Sequence, residues 1–151
     1  MSNRTRGFTL IELLVVVALI AIASAVVSLS LRDPAATQLD REAARLSALF
    51  ESARAEARVS GLFVYWEPLA DPAQTGAFRF VGLPAPNDMP THWLGSGVSA
   101  EVVGARAVTL GPEPLIGAQR VVLRIDTRQL ALATDGLGPF IVAEEAPAPQ
   151  R

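Results

Sequence analysis

The feature that most limits what this chain can become is the run from Phe8 to Leu31. It holds 24 residues in which Glu12 is the only charge and Thr9, Ser24, Ser28 and Ser30 are the only hydroxyls. From Leu13 to Leu31 there are 19 uncharged residues. As a helix rising about 1.5 Å per residue they extend about 28 Å, close to the hydrocarbon thickness of a bilayer, so the run reads as a membrane-spanning helix. Arg4 and Arg6 stand before it. Basic residues on that side favour a cytoplasmic amino terminus and send the rest of the chain outward.

Glu12 is the exception that needs a reason. A carboxylate at mid-membrane costs about 2.5 to 3.5 kcal/mol on insertion scales and less near the interface, so an acid within an apolar span points to function and calls for a partner. If the chain were cut after Gly7, Phe8 would carry a free α-amino group one helical turn from Glu12. That cation, and the positive end of the helix dipole, would both favour the carboxylate. The amine could belong to the same chain or to a copy lying alongside.

At Gly7-Phe8-Thr9-Leu10-Ile11-Glu12, preceded by Arg4 and Arg6 and followed by the apolar run, the chain resembles the class III signal of type IV pilins and type II secretion pseudopilins. The resemblance implies cleavage after Gly7 by a membrane prepilin peptidase and N-methylation of the new terminus at Phe8. It also implies an assembly role for Glu12, which would neutralise the amine of the adjacent subunit. Glycine, aromatic, acid and apolar run all fall at the required offsets. Two plainer readings compete: a signal anchor with Glu12 incidental, or an ordinary secretory signal cut near Ala23-Ser24-Ala25. The second has an apolar core of only about 7 to 15 residues and no use for an acid.

After loss of the leader, 144 of the 151 residues would remain, and without Arg4 and Arg6 the net charge would move from −2 to −4. Outside the membrane helix this leaves room for a single modest domain. A mildly acidic surface makes nucleic acid an unlikely partner. The chain has no cysteine, so an exported domain of this sequence is held by packing, without disulfides or thiolate metal sites.

Beyond Leu31, Asp33-Pro34 can cap and begin a helix, or mark a bend. Gln38 to Ser60 reads as helix, with Thr37 and Asp40 in a capping arrangement and Gly61 as the stop. Leu39, Ala43, Leu46, Phe50, Ala53 and Ala57 recur at spacings of 4, 3, 4, 3 and 4, one apolar stripe that calls for a sheet. Leu39, Leu46 and Phe50 are its large members and the expected helix-sheet core. The charges Arg41, Glu42, Arg45, Glu51, Arg54, Glu56 and Arg58 mostly take the other faces and read as a solvated surface. Glu42 with Arg45, and Glu51 with Arg54, are three apart and able to pair.

From Leu62 onward the period becomes 2. Leu62 to Glu67 and Ala77 to Gly82 read as a hairpin, and Val98 to Val103 and Arg106 to Leu110 as short strands. Gln119 to Ile125 and Gln129 to Thr134 form the clearest hairpin, and Asp135-Gly136 turns the chain into Pro139 to Ala143. Phe78 and Phe80 share a face and read as core. Glu144 to Arg151 reads as a fraying tail. The fold class is therefore α+β, a long amino-terminal helix packed on an antiparallel β-sheet, and it agrees with the pilin-like fold the leader implies. The expected divisions are 1–7 leader, 8–33 transmembrane and assembly helix, 34–144 periplasmic domain, and 145–151 flexible tail.

Catalytic machinery is hard to find. His92 is the sole histidine and sits in a proline-flanked loop, while Gly95-Ser96-Gly97 lacks the spacing of a nucleophile elbow. Asp126 and Asp135 read as turn residues, not as calcium ligands, because no dense acid spacing surrounds them. No catalytic residue, metal or cofactor is expected.

The stretch from Leu39 to Ala57, and the pattern Ile125-Asp-Thr-Arg-Gln to Asp135-Gly-Leu-Gly-Pro-Phe-Ile-Val, resemble minor pseudopilins of the general secretion pathway protein H group. The resemblance implies a non-enzymatic, structural subunit near the tip of the periplasmic pseudopilus. Its implied partners are prepilin peptidase, the other minor and major pseudopilins, the inner-membrane assembly platform and the membrane itself. The implied location is single-pass in the inner membrane, with the carboxy-terminal domain periplasmic. The chain departs from many major pilins in having no proline between Phe8 and Leu31 and no aromatic-rich, acidic-loop ending. Two alternatives stand beside this reading: a minor pilin of a type IV pilus, acting in assembly initiation or DNA uptake, and a membrane-tethered periplasmic hydrolase.

Overall fold

The computed structural model describes residues 9–30, 33–69 and 76–143, without the side chains of 25–30. Two helices, α1 (Leu10–Ser30) and α2 (Pro34–Ser60), precede seven strands. These are β1 (Val64–Pro68), β2 (Phe78–Val81), β3 (Ser99–Val102), β4 (Val108–Gly111), β5 (Gln119–Ile125), β6 (Arg128–Thr134) and β7 (Ile141–Ala143). The chain forms two compact units, Met1–Pro34 and Ala35–Arg151. In the second, a helix packs on antiparallel strands, the α+β arrangement expected.

Helix α2 starts at Pro34, four residues before the expected Gln38. Proline suits a first helical position because its fixed φ is already helical and the missing N–H would have had no intrahelical partner. Thr37 and Asp40 thus lie inside the helix, and the start follows the Asp33-Pro34 alternative. Gly61 ends it with φ of +67°, the left-handed conformation that closes many helices and costs glycine least.

All six stripe positions, Leu39, Ala43, Leu46, Phe50, Ala53 and Ala57, are buried. They share one core cluster with Val64, Trp66 and Phe78 and with Val121, Leu123, Leu132 and Phe140. Phe50 stands at the junction, edge-on to Trp66 at 5.2 Å and to Phe140 at 4.7 Å between ring centroids. Such edge-to-face geometry sets the positive rim of one ring against the negative face of another. Phe78 is fully buried while Phe80 is half-buried against the same cluster.

One sheet was expected and two are present, ordered β2-β1-β4 and β3-β5-β6-β7, with every pairing antiparallel. The β1–β4 ladder carries a register shift between Val64 and Tyr65, and such irregularities bend a strand away from its neighbours. The two sheets share no backbone ladder among the described residues, and a side chain links edge strand β4 to the start of β5. Gln119 accepts the Thr109 N–H at 2.8 Å and donates to the Thr109 carbonyl at 2.9 Å.

Glu42 and Arg54 correct the expectation that the charges of α2 line a solvated face, for they are 1% and 3% exposed. Each faces a loop that packs over the helix, and each is used to hold it. Arg54 donates to Gly138 O at 2.9 Å and pairs with Glu51 at 3.0 Å. Ser47 donates to Phe140 O. The turn between β6 and β7 is thereby fixed to the middle of α2.

Candidate functional site

Helix α1 begins in a way the sequence reading overlooked. Thr9 caps it: the Glu12 N–H is 3.1 Å from Thr9 O and 3.3 Å from Thr9 Oγ1, and the Leu13 N–H is 3.2 Å from Thr9 O. The spacing Thr9-x-x-Glu12 is that of a capping box, in which the cap hydroxyl accepts from the third helical residue. That signal was available in the sequence. Glu12 is the acidic residue of the first turn, where unpaired N–H groups favour a negative charge.

Every described side chain from Leu10 to Ser24 is exposed, with Leu10 at 78% and Ile22 still at 62%. A helix apolar all round has no face for water and is stable only when lipid or other protein covers it. Among the described residues no helix is long and apolar enough to cross a membrane. The stretch with described side chains is 15 residues, Leu10 to Ser24, and at about 1.5 Å each it reaches about 22 Å, short of a hydrocarbon core. Gly7 and Phe8, the expected cleavage and methylation positions, lie outside the described residues, as does the tail from Glu144.

A second anchored loop lies between β2 and β3. Three side chains a helical turn apart on α2 hold the chain between β2 and β3. Gln38 donates to Ser96 O at 3.2 Å, Glu42 accepts the Gly95 N–H at 2.9 Å, and Arg45 donates to His92 O at 2.9 Å. Glu42 and Arg45 themselves approach to 3.8 Å, and Glu42 Oε2 accepts no hydrogen bond from any described residue. A Cβ at Gly95 would stand 2.1 Å from Gln38 Nε2, so a larger residue there would push the Gln38 side chain off its present position. Trp93 is half-buried, tilted against Phe78 at 4.7 Å.

No reaction centre emerges from this loop. His92 is exposed and its Nδ1 lies 2.9 Å from the neighbouring Thr91 hydroxyl. Ser96 contributes its carbonyl, not its hydroxyl, to the contact with α2. Among the described residues no three histidines, cysteines or acids stand together as metal ligands.

Asp126 sits in the β5–β6 turn with φ of +50°, a conformation that aspartate tolerates better than most residues. Asp135 accepts the N–H groups of Gly138 and Leu137, both at 2.9 Å. Those bonds favour its charged form and lower its pKa, the Gly138 bond most.

Residues 2–28 match the prokaryotic N-terminal methylation motif. This is the leader of type IV pilin-like proteins, which prepilin peptidase processes, and it supports assembly with other pilins. The match takes in most of α1 and does not reach the second unit. No curated protein and no solved structure matches the chain.

Proposed function

We propose that this chain is a structural minor pseudopilin of a type II secretion system, most similar to the general secretion pathway protein H group. The observation that carries the reading is a carboxylate in the first turn of an otherwise apolar helix, directly behind Gly7-Phe8. In this reading prepilin peptidase cuts after Gly7 and Phe8 is methylated. Residues 8–33 hold the chain in the inner membrane, 34–144 form the periplasmic domain, and 145–151 are its tail. Glu12 meets the freed amine of an adjacent subunit as pseudopilins enter the filament. The exposed apolar surface of α1 supports this, because neighbouring helices or lipid must cover it. The domain behind it offers anchored loops and open strand edges, which suits subunit packing better than catalysis.

The test is mass spectrometry of the mature chain in its own cell envelope, joined to a secretion assay on a deletion strain. The reading requires a methylated terminus at Phe8 and loss of exported protein from the medium. A terminus at Ser24 or beyond would indicate ordinary signal peptidase instead. Intact secretion with loss of pili would assign the chain to a type IV pilus. Intact secretion with an activity that disappears on His92→Ala would favour the hydrolase.

A further inference from the structure

On the outer face of the second sheet, strand register aligns Arg120 with Ala133 and Ile141, and Val122 with Ala131 and Ala143. The alternate residues Val121, Leu123 and Leu132 are buried on the opposite face. Arg120, Val122, Gln129, Ala131 and Ala143 line a hollow of about 210 Å³, roomier than the cavity of about 150 Å³ that holds a benzene ring. Its floor is apolar, and one wall is a cation. Arg120 is half-buried and pairs with no carboxylate among the described residues, whereas Arg124 on the same face is paired with Glu101 at 2.6 Å.

The loop between β4 and β5 carries the complement. Glu113, Pro114 and Leu115 at its tip are exposed, Leu115 to 63%, and Glu113 pairs with no cation among the described residues. Pro112 and Pro114 fix their own φ, and the base of the loop is tied down. The Ile116 N–H donates to Gly136 O at 3.3 Å and Gln119 Nε2 to Ile116 O at 3.5 Å. A tip held in shape beforehand loses less entropy on docking. Glu113 precedes a proline, which biases it to extended backbone. Two such residues advance about 6 to 7 Å, the distance that also separates Arg120 from Val122 along their strand. A carboxylate set on Arg120 therefore brings a leucine over Val122 and Ala131.

We propose that the Glu113-Pro114-Leu115 tip of one copy docks in the hollow beside Arg120 and Val122 of the next. Within one copy the two charges do not pair. Knob and hollow are different surfaces of one subunit, so the contact is heterologous, and its repetition makes a row of subunits. The proposal rests on the reading of the chain as a filament subunit and adds which surfaces meet. One loop in one hollow buries less than a standard interface, so the contact is best read by crosslinking in the whole chain.

The chain has no cysteine, which allows a clean test with protein purified in detergent from its own cell envelope. A Leu115→Cys chain mixed with a Val122→Cys chain should give, under mild oxidation, a mixed disulfide in excess of either homodimer, identified by the mass of the linked peptides. Adding Arg120→Glu to the Val122→Cys chain should lower that yield about threefold, the scale of one half-exposed ion pair, and adding Glu113→Arg to the Leu115→Cys chain should restore it. Glu113→Gln, on an exposed loop, should lower the yield by the same factor with Arg120 intact, and serves if Arg120→Glu disturbs the fold. Yields that ignore these charges overturn the proposal. So does a chain carrying both cysteines that closes the bond within itself. Methylation of Phe8, measured on the same preparation, separates this contact from the reading beneath it: a methylated chain without the mixed disulfide overturns the contact alone.

Discussion

Gln119 binds both backbone groups of Thr109, accepting its N–H at 2.8 Å and donating to its carbonyl at 2.9 Å. A side-chain amide on β5 thereby does for edge strand β4 what a neighbouring strand would do, and it joins two sheets that share no ladder there. Gln119→Ala removes both bonds and leaves the N–H and carbonyl of Thr109 half-buried without partners. A loss of about 2 kcal/mol is expected, at the low end for two such groups. Urea unfolding should show it as a lower midpoint with unchanged slope.

Glu42 separates two substitutions that look alike on paper. Its Oε1 is needed by the Gly95 N–H, but its Oε2 accepts nothing from the described residues. Glu42→Gln keeps the acceptor and removes a buried charge, so stability should stay within about 1 kcal/mol of the parent. Glu42→Ala leaves the Gly95 N–H unpartnered and should cost about 2 to 3 kcal/mol. Amide exchange at Gly95 should rise in the alanine variant and not in the glutamine one.

Asp135 gives a pH dependence whose sign is fixed by its partners. The N–H bonds from Gly138 and Leu137 lower its folded pKa, below the ordinary value of about 3.9 that the unfolded chain keeps. The folded state therefore binds fewer protons. The contribution is complete above about pH 5 and is lost as pH falls through about 3.9 towards the lowered folded value. Asp135→Asn keeps an oxygen for the turn but does not titrate. The melting temperature of that variant should fall less steeply with acid over this window than the parent's.

Phe50 packs against Trp66 of β1 and against Phe140, in the turn that leads into β7. Phe50→Ala should cost about 3 to 5 kcal/mol, the range for removing a buried phenyl group. Near-UV circular dichroism should report the loss of the tryptophan environment in the same transition. A loss below about 1 kcal/mol would mean that the helix and the two sheets are not one packed body.

In the proposed function the carboxylate of Glu12 meets the amine and is not used to present the leader, so Glu12→Ala should leave cleavage after Gly7 intact and abolish entry into the filament. Gly7→Val should leave the leader uncut. Both outcomes are read from the mass of the chain and its presence in sheared or crosslinked filaments. Glu12→Ala chains that assemble normally would remove the basis of the proposed function.

Local periodicity determined much of this protein. The six-residue stripe of α2, the stop at Gly61, the hairpin of β5 and β6 and the turn at Asp135 all follow from spacing and from residues with narrow backbone preferences, which act within a few positions along the chain. The leader and Glu12 are equally local, since charge in an apolar run is visible wherever it occurs. What the fold alone decided are contacts between distant residues: Glu42 with Gly95, Arg54 with Gly138, Gln119 with Thr109. On a helical wheel Glu42 and Arg54 look solvated. They are buried because loops from 53 and 84 residues away lie over them, and a loop's path depends on the packing of everything beneath it. The split into two sheets has the same origin, for strand identity is set by alternation but strand partners are set by which edges the core brings together.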